Sequence, residues 1–505
     1  MNFTDFIKSK TEKIPKPAKS AFIVSLIVGL ICHFVGLTNQ FLIYDSIHSH
    51  HSLVDNVTSG RFLLHIFGEI NGGTHLVWVN GLTILFWVAC SCAVITLLLE
   101  IKSTHAASLI AAIITAFPTV TYLFMYSFTG DVYSFALFCS VLALLVTKLH
   151  KYGFLIGALL ICVSLAIYQA FIVFAAVLCL LIIILDSLTD NLRFKLYGKF
   201  ILCGAVGSIV YLIINKIILT VSNAAMSDYQ NLNFLETLNI DLSLEQFYKP
   251  LDILYTVIFK QRLLTGTGLM NILALAVFVI LIICTGFSVK SIIKAKTSIK
   301  KPKNINQLVV VFALFLFIYS LNILVLITDA EVYHVIMQLQ YVLIPVGFVY
   351  ILYKSETGDK PSRKYFNRRF TTSAAACLLV FTFGIRANLL YSRHLDMNIN
   401  MLTSYTKISY TIENTEGFVQ GMDTVVFNFR GNAQDHSRVQ LSDEVAVEFL
   451  NIYCRTDLNL IESDKKADEI FDPAYIAGDC KATVKDNVLY LMMDTSGMPV
   501  MDDIF

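Results

Sequence analysis

GFLIGALLICVSLAIYQAFIVFAAVLCLLIIIL, residues 153–185, is an apolar run without a single charged residue. A helix needs about 20 residues to span a membrane, so this run is too long for one crossing. Basic residues stand on both sides of it, and by the positive-inside rule they keep both flanks in the cytoplasm. They are Lys148, Lys151, Arg193, Lys195 and Lys199. Two short helices that meet at an outer apex near Tyr168 and Gln169 satisfy both conditions.

The composition of the whole chain agrees with a membrane location. Of the 505 residues, 56% are hydrophobic and 15% are charged, and the mean hydropathy is +0.68. Soluble domains carry about 25% charged residues. The net charge of +1 gives no reason to expect nucleic acid or another polyanion as a partner. We therefore predict a polytopic membrane protein.

Eleven crossings follow when the apolar runs are counted from the N-terminus. The first apolar stretch is not followed closely by a small-residue cleavage site, which predicts a retained helix rather than a removed signal peptide. Residues 1–19 before it are rich in lysine and are predicted to stay in the cytoplasm. The basic clusters at 290–303 and 354–369 then fall in cytoplasmic loops. The sequence thus predicts an all-α transmembrane domain over residues 20–391. Besides the pair in 153–185, its crossings are 20–41, 74–98, 106–126, 132–149, 199–220, 267–289, 307–328, 335–353 and 371–391.

Three longer segments are predicted to lie on the other side: loops 42–73 and 221–266, and the C-terminal residues 392–505. The last of these is polar and long enough for a small folded domain, which begins where the last helix is expected to end, at Tyr391. A strand-like run at 423–430 and an amphipathic stretch at 443–453 predict an α+β fold. Cys454 and Cys480 are the cysteines of this segment, and the sequence leaves open whether they pair.

The first outer loop opens with LIYDSIHSHHSLVDNVTSGRFLL, residues 42–64, which is dense in titratable groups. Residues 52–67 have the apolar spacing of an amphipathic helix that lies in the membrane interface. Arg61 offers a planar guanidinium for a lipid phosphate, and Asp45 a general base for an acceptor hydroxyl. Solvation at a helix end is the alternative for Asp45. No cofactor is expected; a divalent metal stays an open alternative, since the spacing of His48, His50 and His51 is unspecific.

A second acid follows in TAFPTVTYLFMYSFTGDVYSFALF, residues 115–138. The chain is predicted to turn at Thr129 and Gly130, which places Asp131 at the outer start of the fourth crossing. Asp131 is then either a second acid of the same site or the cap of that helix. The sequence leaves both open.

Further polar groups are predicted at the same side of the membrane. Lys260 and Arg262 precede a crossing at the depth of a lipid phosphate, although such cations often only extend to headgroups. Tyr168 and Gln169 interrupt a long apolar run, and polar groups in that position tend to face a protein cavity. With Glu331 and His334 of the turn 329–334 they are candidates to bind sugar hydroxyls, with simple solvation as the alternative for the last two.

Four short motifs, taken together, resemble those of a known enzyme family. They are Tyr44-Asp45-Ser46, Ser59-Gly60-Arg61-Phe62, the stretch Tyr122–Tyr133 with Asp131, and Leu165–Gln169. In their order and spacing, over roughly residues 25–390, the chain resembles the polytopic glucosyltransferases of serotype-converting phages and O-antigen modification operons, the glucosyl transferase type II family.

This resemblance implies a GT-C-like fold in the bacterial inner membrane. It implies transfer of glucose from undecaprenyl-phosphate-glucose to a sugar of the lipid-linked O-antigen at the periplasmic face, next to a lipid-glucose synthase and a flippase. Asp45 would be the base and Asp131 a second acid, whereas Ser46 stands where some relatives carry a paired acid. A phosphate leaves without protonation, so one base is sufficient for inverting transfer, and a β-linked donor would give an α-glucoside.

Other functions stay open at this point. Another lipid-phosphate-sugar-dependent transferase, acting on lipid A or protein, has the same architecture. A polysaccharide flippase or transporter predicts polar helices at the midplane and an internal repeat, which the sequence does not show. An accessory membrane protein would leave the crowded first loop without a role. The acceptor sugar, the linkage and the identity of the hexose are not fixed by the sequence.

Overall fold

The computed structural model describes residues 12–43, 46, 53–68, 70, 76–226, 244–260, 268–297, 304–326, 334–354, 363–429, 443–463, 465–471 and 480–494. The chain divides into two compact units. The first combines Met1–Gln40 with His51–Asn388, and the second combines Phe41–His50 with Leu389–Phe505. The beginning of the first outer loop therefore groups with the C-terminal part of the chain.

Helices make up the described part of the first unit. Shorter turns of other types interrupt them: a π-helical turn at Thr256–Lys260 and 3-10 segments at Ile323–Leu326 and Val335–Val342. The α-helices are α1 (Lys16–Cys32), α2 (Phe34–Thr38), α3 (Leu53–Thr58), α4 (Phe62–Gly68), α5 (Val77–Leu98), α6 (Thr104–Ala116), α7 (Pro118–Met125), α8 (Ser127–Leu149), α9 (Gly153–Ile167), α10 (Phe171–Leu188), α11 (Phe194–Val221), α12 (Leu244–Tyr255), α13 (Gly268–Thr297), α14 (Asn304–Ser320), α15 (Leu343–Lys354) and α16 (Arg363–Glu413), the last of which continues into the second unit.

Length and hydropathy identify a multi-pass membrane protein. In the described part of the chain, seven helices are long and apolar enough to cross a membrane, or eight if the bent pair α6–α7 is one span. The helices Gly153–Ile167 and Asn306–Ser320 are apolar but shorter. The prediction that residues 153–185 form two short helices with an apex near Tyr168 is confirmed, since α9 ends at Ile167 and α10 begins at Phe171.

Several predicted crossings are broken. The run 106–126 bends by 50° between α6 and α7, because Phe117 precedes Pro118 and takes an extended conformation with φ −60° and ψ 137°. The run 20–41 is interrupted at His33, between α1 and α2. The run 335–353 begins with a 3-10 segment in which Gln338 has non-helical dihedrals, and continues as α15. Such breaks leave backbone polar groups that buried side chains must satisfy.

Charged side chains form ion pairs between several helix ends at one end of the bundle, here called the Arg193 end. Arg193 binds Asp186 through two hydrogen bonds of 2.8 and 2.9 Å, and Tyr197 donates to the same carboxylate at 2.8 Å. Arg193 and Lys148 also pair with Glu100, at 3.0 and 2.6 Å. Partial burial opposes ionisation of Glu100, but these two cations outweigh it and hold its pKa below the usual range.

The second unit is an α+β domain built on a mixed sheet. Its strands β1 (Met422–Phe429), β2 (Leu458–Leu460), β3 (Lys481–Lys485) and β4 (Val488–Asp494) stand in the order β2-β1-β4-β3. Strand β1 is parallel to β2 and β4, whereas β3 and β4 are antiparallel. Helices α17 (Asp443–Phe449) and α18 (Ala467–Ile470) and a π-helical turn at Leu450–Cys454 complete the described part. The predicted strand at 423–430 and the helical stretch from Asp443 are confirmed.

The last helix is longer than the sequence predicted. It was expected to end at Tyr391, and that expectation was wrong, because α16 continues to Glu413. The extra turns carry a second apolar stripe, formed by Met401, Tyr405, Ile408 and Ile412, which belongs to the same buried cluster as Phe449 and Leu491 of the domain. A helix is retained after it leaves the apolar run because its stripe still has a partner.

Residues at the beginning of the first outer loop pack onto this helix and its domain. Phe41 is fully buried and stacks on Tyr391 with ring centroids 5.3 Å apart, and its ring also meets the edge of His394. Leu42 joins the apolar cluster of the domain. Ser46 closes the next turn, since its hydroxyl accepts from the Ile43 amide at 2.9 Å. The chain leading to Asp45 is therefore anchored within the second unit.

The structure also settles the state of the two domain cysteines. Cys454 and Cys480 are both thiols, and no disulfide joins them. Both pack beside the same apolar cluster. Burial, assisted by the charge of Glu413, raises the pKa of Cys454 and so lowers its reactivity toward oxidation.

Candidate functional site

The structure places some of the sequence-predicted site residues and leaves others out. Arg61, Asp131, Tyr168, Gln169 and His334 lie in the described part of the first unit. Lys260 ends the π-helical turn that follows α12, and its side chain is not described. The remaining candidates lie outside the described residues; they are Asp45, Arg262, Glu331, His48, His50 and His51.

A sharp turn replaces the single amphipathic helix that was predicted over residues 52–67. Helix α3 ends before Ser59 and α4 starts at Phe62. The Gly60 amide donates to the Val57 carbonyl at 3.0 Å and the Arg61 amide to the Asn56 carbonyl at 2.7 Å, which is the Schellman pattern of a helix C-terminus. Gly60 takes the left-handed conformation that this pattern needs, with φ +72°. The one-helix prediction was wrong because it ignored this stop signal.

Two side chains from the bundle hold the turn in place. The amide nitrogen of Gln169 donates to the Ser59 carbonyl at 2.9 Å, and the Tyr211 hydroxyl donates to the Gly60 carbonyl at 3.1 Å. Gln169 and Tyr211 also contact each other, at 3.2 Å. A Cβ atom on Gly60 would lie 2.5 Å from the Tyr211 hydroxyl, so a larger residue would displace Tyr211 from the turn. These bonds satisfy carbonyls that the end of α3 leaves open.

Tyr211 reaches the turn because α11 lies close to α9. At Gly207, one turn earlier on α11, a Cβ atom would lie 2.7 Å from the carbonyl oxygen of Ala158. A small residue there lets the two backbones approach each other closely. Tyr211 was not predicted as a site residue, because it falls within the apolar run 199–220 and tyrosine is common in such runs.

Arg61 lies directly after the turn and its charge is held by an aromatic surface. The guanidinium carbon is 5.2 Å from the centroid of the Tyr168 ring, a cation–π distance. The Tyr168 ring in turn stacks on Tyr133 of α8, with centroids 4.5 Å apart. Phe62, the next residue after Arg61, stacks on Tyr211 at 6.1 Å. The predicted apex residue Tyr168 and the predicted cation Arg61 are thus brought together.

Asp131 lies further inside its helix than the sequence predicted. Helix α8 begins at Ser127, after a turn at Tyr126 rather than at Thr129 and Gly130. The capping interpretation of Asp131 is therefore wrong, because Tyr126 occupies the N-cap position. The carboxylate accepts from the Val132 amide at 2.9 Å and is half-buried. Asp131 stands two residues before Tyr133, whose ring supports Tyr168.

His334 belongs to a second polar region of the first unit. It is half-buried at the start of the 3-10 segment Val335–Val342. Further along the same segment, the Tyr341 hydroxyl donates to the Asn322 side chain at 2.9 Å, and Asn322 donates to the Pro250 carbonyl, also at 2.9 Å. These buried bonds connect α12, the end of α14 and the 3-10 segment. Asn322 and Tyr341 were not predicted, although an asparagine in an apolar run is a usable signal.

Arg61 gives the described part of the site a group that suits an anion. No group of three or more His, Cys, Asp or Glu side chains is placed to hold a metal ion within the part of the chain that the structure describes. Arg61 instead offers a planar fork of N–H donors, which matches phosphate oxygens. The turn at Gly60, with Gln169 and Tyr211, fixes the backbone that carries this donor.

These features define a multi-pass membrane protein with a cationic polar site at one end of its helical bundle. Residues 34–352, more than half of the chain, match the family described as glucosyl transferase GtrII. The chain belongs to this family and is a membrane glycosyltransferase, which confirms the resemblance seen in the sequence.

One solved structure is also similar. It is the crystal structure of ArnT from Cupriavidus metallidurans bound to undecaprenyl phosphate, with 13% sequence identity and a TM-score of 0.39 over 91% of this chain and 92% of that one. The curated proteins contain no match to this sequence.

Proposed function

We propose that the protein transfers glucose from undecaprenyl-phosphate-glucose to a sugar of the lipid-linked O-antigen at the periplasmic face of the inner membrane. The observation that carries this proposal is the placement of Arg61, which follows a glycine turn held by Gln169 and Tyr211 and lies over Tyr168. Membership of the glucosyl transferase family supplies the reaction class. A fixed guanidinium at a helix end suits the phosphate of a lipid-linked donor.

The distribution of the basic residues supports this direction of insertion. Arg193 and Lys148 meet at one end of the bundle. Arg369 and Ser373 lie near the start of α16. The Ser373 hydroxyl contacts His105 of α6 and Tyr353 of α15, and the Arg369 guanidinium lies over the Tyr353 ring. The start of α16 therefore lies beside the start of α6. The positive-inside rule makes these ends cytoplasmic. Tyr211 lies about 27 Å further along α11 than Arg193, at 1.5 Å per residue, and this separation supports a periplasmic position for the Arg61 site. This orientation fits eleven crossings with a cytoplasmic N-terminus and a periplasmic C-terminal domain.

Each candidate residue has a defined role in this proposal. Arg61 binds the donor phosphate and stabilises the negative charge that develops on it, with Lys260 and Arg262 as further cations. Asp45 takes the proton of the acceptor hydroxyl, and Asp131 assists at the acceptor. Because a phosphate leaves without protonation, the reaction needs one base and no general acid. Tyr168, Gln169, Glu331 and His334 contact the sugars.

The test is to express the chain in a smooth Gram-negative host supplied with a lipid-glucose synthase and a flippase. We expect the O-antigen to gain glucose, measured by sugar composition and linkage analysis. The Asp45→Asn variant should insert normally and add none, since loss of a general base costs about 100-fold or more. Unchanged O-antigen with the wild-type chain and a proven donor supply would overturn the proposal.

A further inference from the structure

Asn215 is a buried amide on the face of α11 that packs into the bundle. Only 4% of the residue is exposed. It follows Tyr211 by one helical turn, and its neighbours on the same face are the buried residues Gly207 and Leu219. The opposite face of α11 is apolar and exposed, with Ile209, Ile213 and Ile217. An amide on the inner face of such a helix points to a polar cavity.

The hydrogen-bonding capacity of this amide is only half used. Its nitrogen donates to the sulfur of Met226 at 3.6 Å, and a thioether is a weak acceptor. Among the residues that the structure describes, no donor reaches the Asn215 Oδ1 atom, which is shielded from solvent. Buried side-chain oxygens almost always have a donor, so this oxygen calls for a partner that the described part of the protein does not supply.

Asn215 is also connected to the turn that presents Arg61. Met226, its partner, has its Sδ-bound methyl carbon 3.1 Å from the position of a Cβ atom on Gly60. Tyr211, four residues before Asn215, donates to the Gly60 carbonyl, and Asn215 lies about 6 Å further along the helix. The unmatched oxygen therefore belongs to the surroundings of the proposed phosphate site.

We infer that Asn215 Oδ1 accepts a hydrogen bond from a hydroxyl of the hexose whose phosphate binds to Arg61. This inference rests on the proposed function and names a residue that selects the sugar of the donor. A carboxamide oxygen can only accept, and an ionised phosphodiester has no hydrogen to donate, so the phosphate itself is not its partner. A sugar hydroxyl is the donor that the substrate offers.

The experiment compares two ligands on purified full-length protein in lipid nanodiscs: undecaprenyl phosphate and undecaprenyl-phosphate-glucose. We expect Asn215→Leu to bind the sugar-free lipid phosphate as the wild type does and to bind the glucosylated lipid about tenfold more weakly, the equivalent of one lost hydrogen bond. The thermal unfolding temperature should stay equal or rise, since leucine removes an unmatched polar group. Leu219→Met, one turn further on the same face, is the matched control and should change neither affinity.

A second arm keeps the inference testable if Asn215→Leu folds poorly. The wild type is compared with Asn215→Ala on a series of monodeoxy donor analogues, and one missing hydroxyl should weaken wild-type binding without weakening the variant further. If Asn215→Leu or Asn215→Ala keeps the full preference for the glucosylated lipid, the inference is overturned while the proposed function stands. If the wild type binds neither lipid, the proposed function itself fails.

Discussion

The polar side chains at the two ends of α11 differ in their partners. Near its start, Arg193 donates hydrogen bonds to the carboxylates of Asp186 and Glu100, and the Tyr197 hydroxyl donates a further one to Asp186. Near its other end, Tyr211 holds a backbone turn, Arg61 lies on an aromatic ring, and the oxygen of Asn215 has no donor among the described residues. Charges that satisfy each other inside the protein indicate a brace between helices. The Asn215 oxygen, which no described donor reaches, is the atom to which we assign a ligand.

Among the variants that test this difference, replacement of Arg61 should cause the largest loss of activity. We expect Arg61→Ala to lower kcat/KM for the lipid-linked donor by about 100-fold, because hydrogen bonds to a charged group contribute about 1.5–3 kcal/mol each. Arg61→Lys keeps the charge but loses the planar fork, and it should recover only part of the activity. Steady-state kinetics with a purified acceptor measure both. Equal activity of Arg61→Ala and the wild type would remove Arg61 from the site.

Gly60→Ala should damage the same site through the backbone. A side chain at φ +72° is strained by about 1–2 kcal/mol, and its Cβ would lie 2.5 Å from the Tyr211 hydroxyl. We expect about tenfold lower activity together with a lower unfolding temperature. Gly68→Ala is the matched control, because a Cβ there meets nothing within 4 Å. Similar behaviour of the two variants would show that the turn does not position Arg61.

At the Arg193 end we expect stability to change and donor binding to stay the same. Asp186→Asn removes the charge that Arg193 and Tyr197 bind, and it should destabilise the fold by about 1–2 kcal/mol, less than a fully buried pair because Arg193 is partly exposed. Tyr197→Phe removes one hydrogen bond and should cost less. Thermal unfolding in detergent gives the order of the two variants. A raised KM in Asp186→Asn would contradict the separation between brace and site.

The smallest expected effect concerns pH. The pKa of Glu100 is lowered in the folded protein by Lys148 and Arg193 against the effect of burial. A lowered carboxyl pKa stabilises the fold above the unfolded value of about 4.3 and loses this contribution as pH falls through the folded pKa. The unfolding temperature of Glu100→Gln should therefore fall less steeply than that of the wild type below about pH 5. Parallel curves would show that the ion pairs with Glu100 are too solvated to contribute.

Much of this architecture follows from the sequence because hydropathy and charge act over long segments. The division of residues 153–185 at Tyr168 follows from length and flanking lysines, and strand β1 follows from its β-branched and aromatic residues. The breaks were harder to predict. Pro118 and the Ser59-Gly60 pair are stop signals that a hydropathy count overlooks, and α16 passes Tyr391 because its partner is a domain encoded later in the chain.

The site itself could be predicted only in part. Arg61, Tyr168 and Gln169 were identified because they are conspicuous, being charged in a loop or polar in an apolar run. Their association depends on α9 and α11 lying side by side, which no single segment reveals. Asn215 was missed even though it is the same kind of signal as Gln169, an amide inside an apolar run. Its significance comes from what surrounds the oxygen, and this is a property of the fold.

Phe41 and Leu42 are buried against residues that stand more than 340 positions later in the sequence, on α16 and in the C-terminal domain. The packing of the C-terminal segment therefore depends on the first residues of the first loop. Consider a chimera in which the C-terminal segment is replaced by that of another family member. The new segment would have to pack against Phe41 and Leu42 of the original chain, unless these two residues are exchanged as well. An exchange of the C-terminal segment between family members should therefore include Phe41 and Leu42.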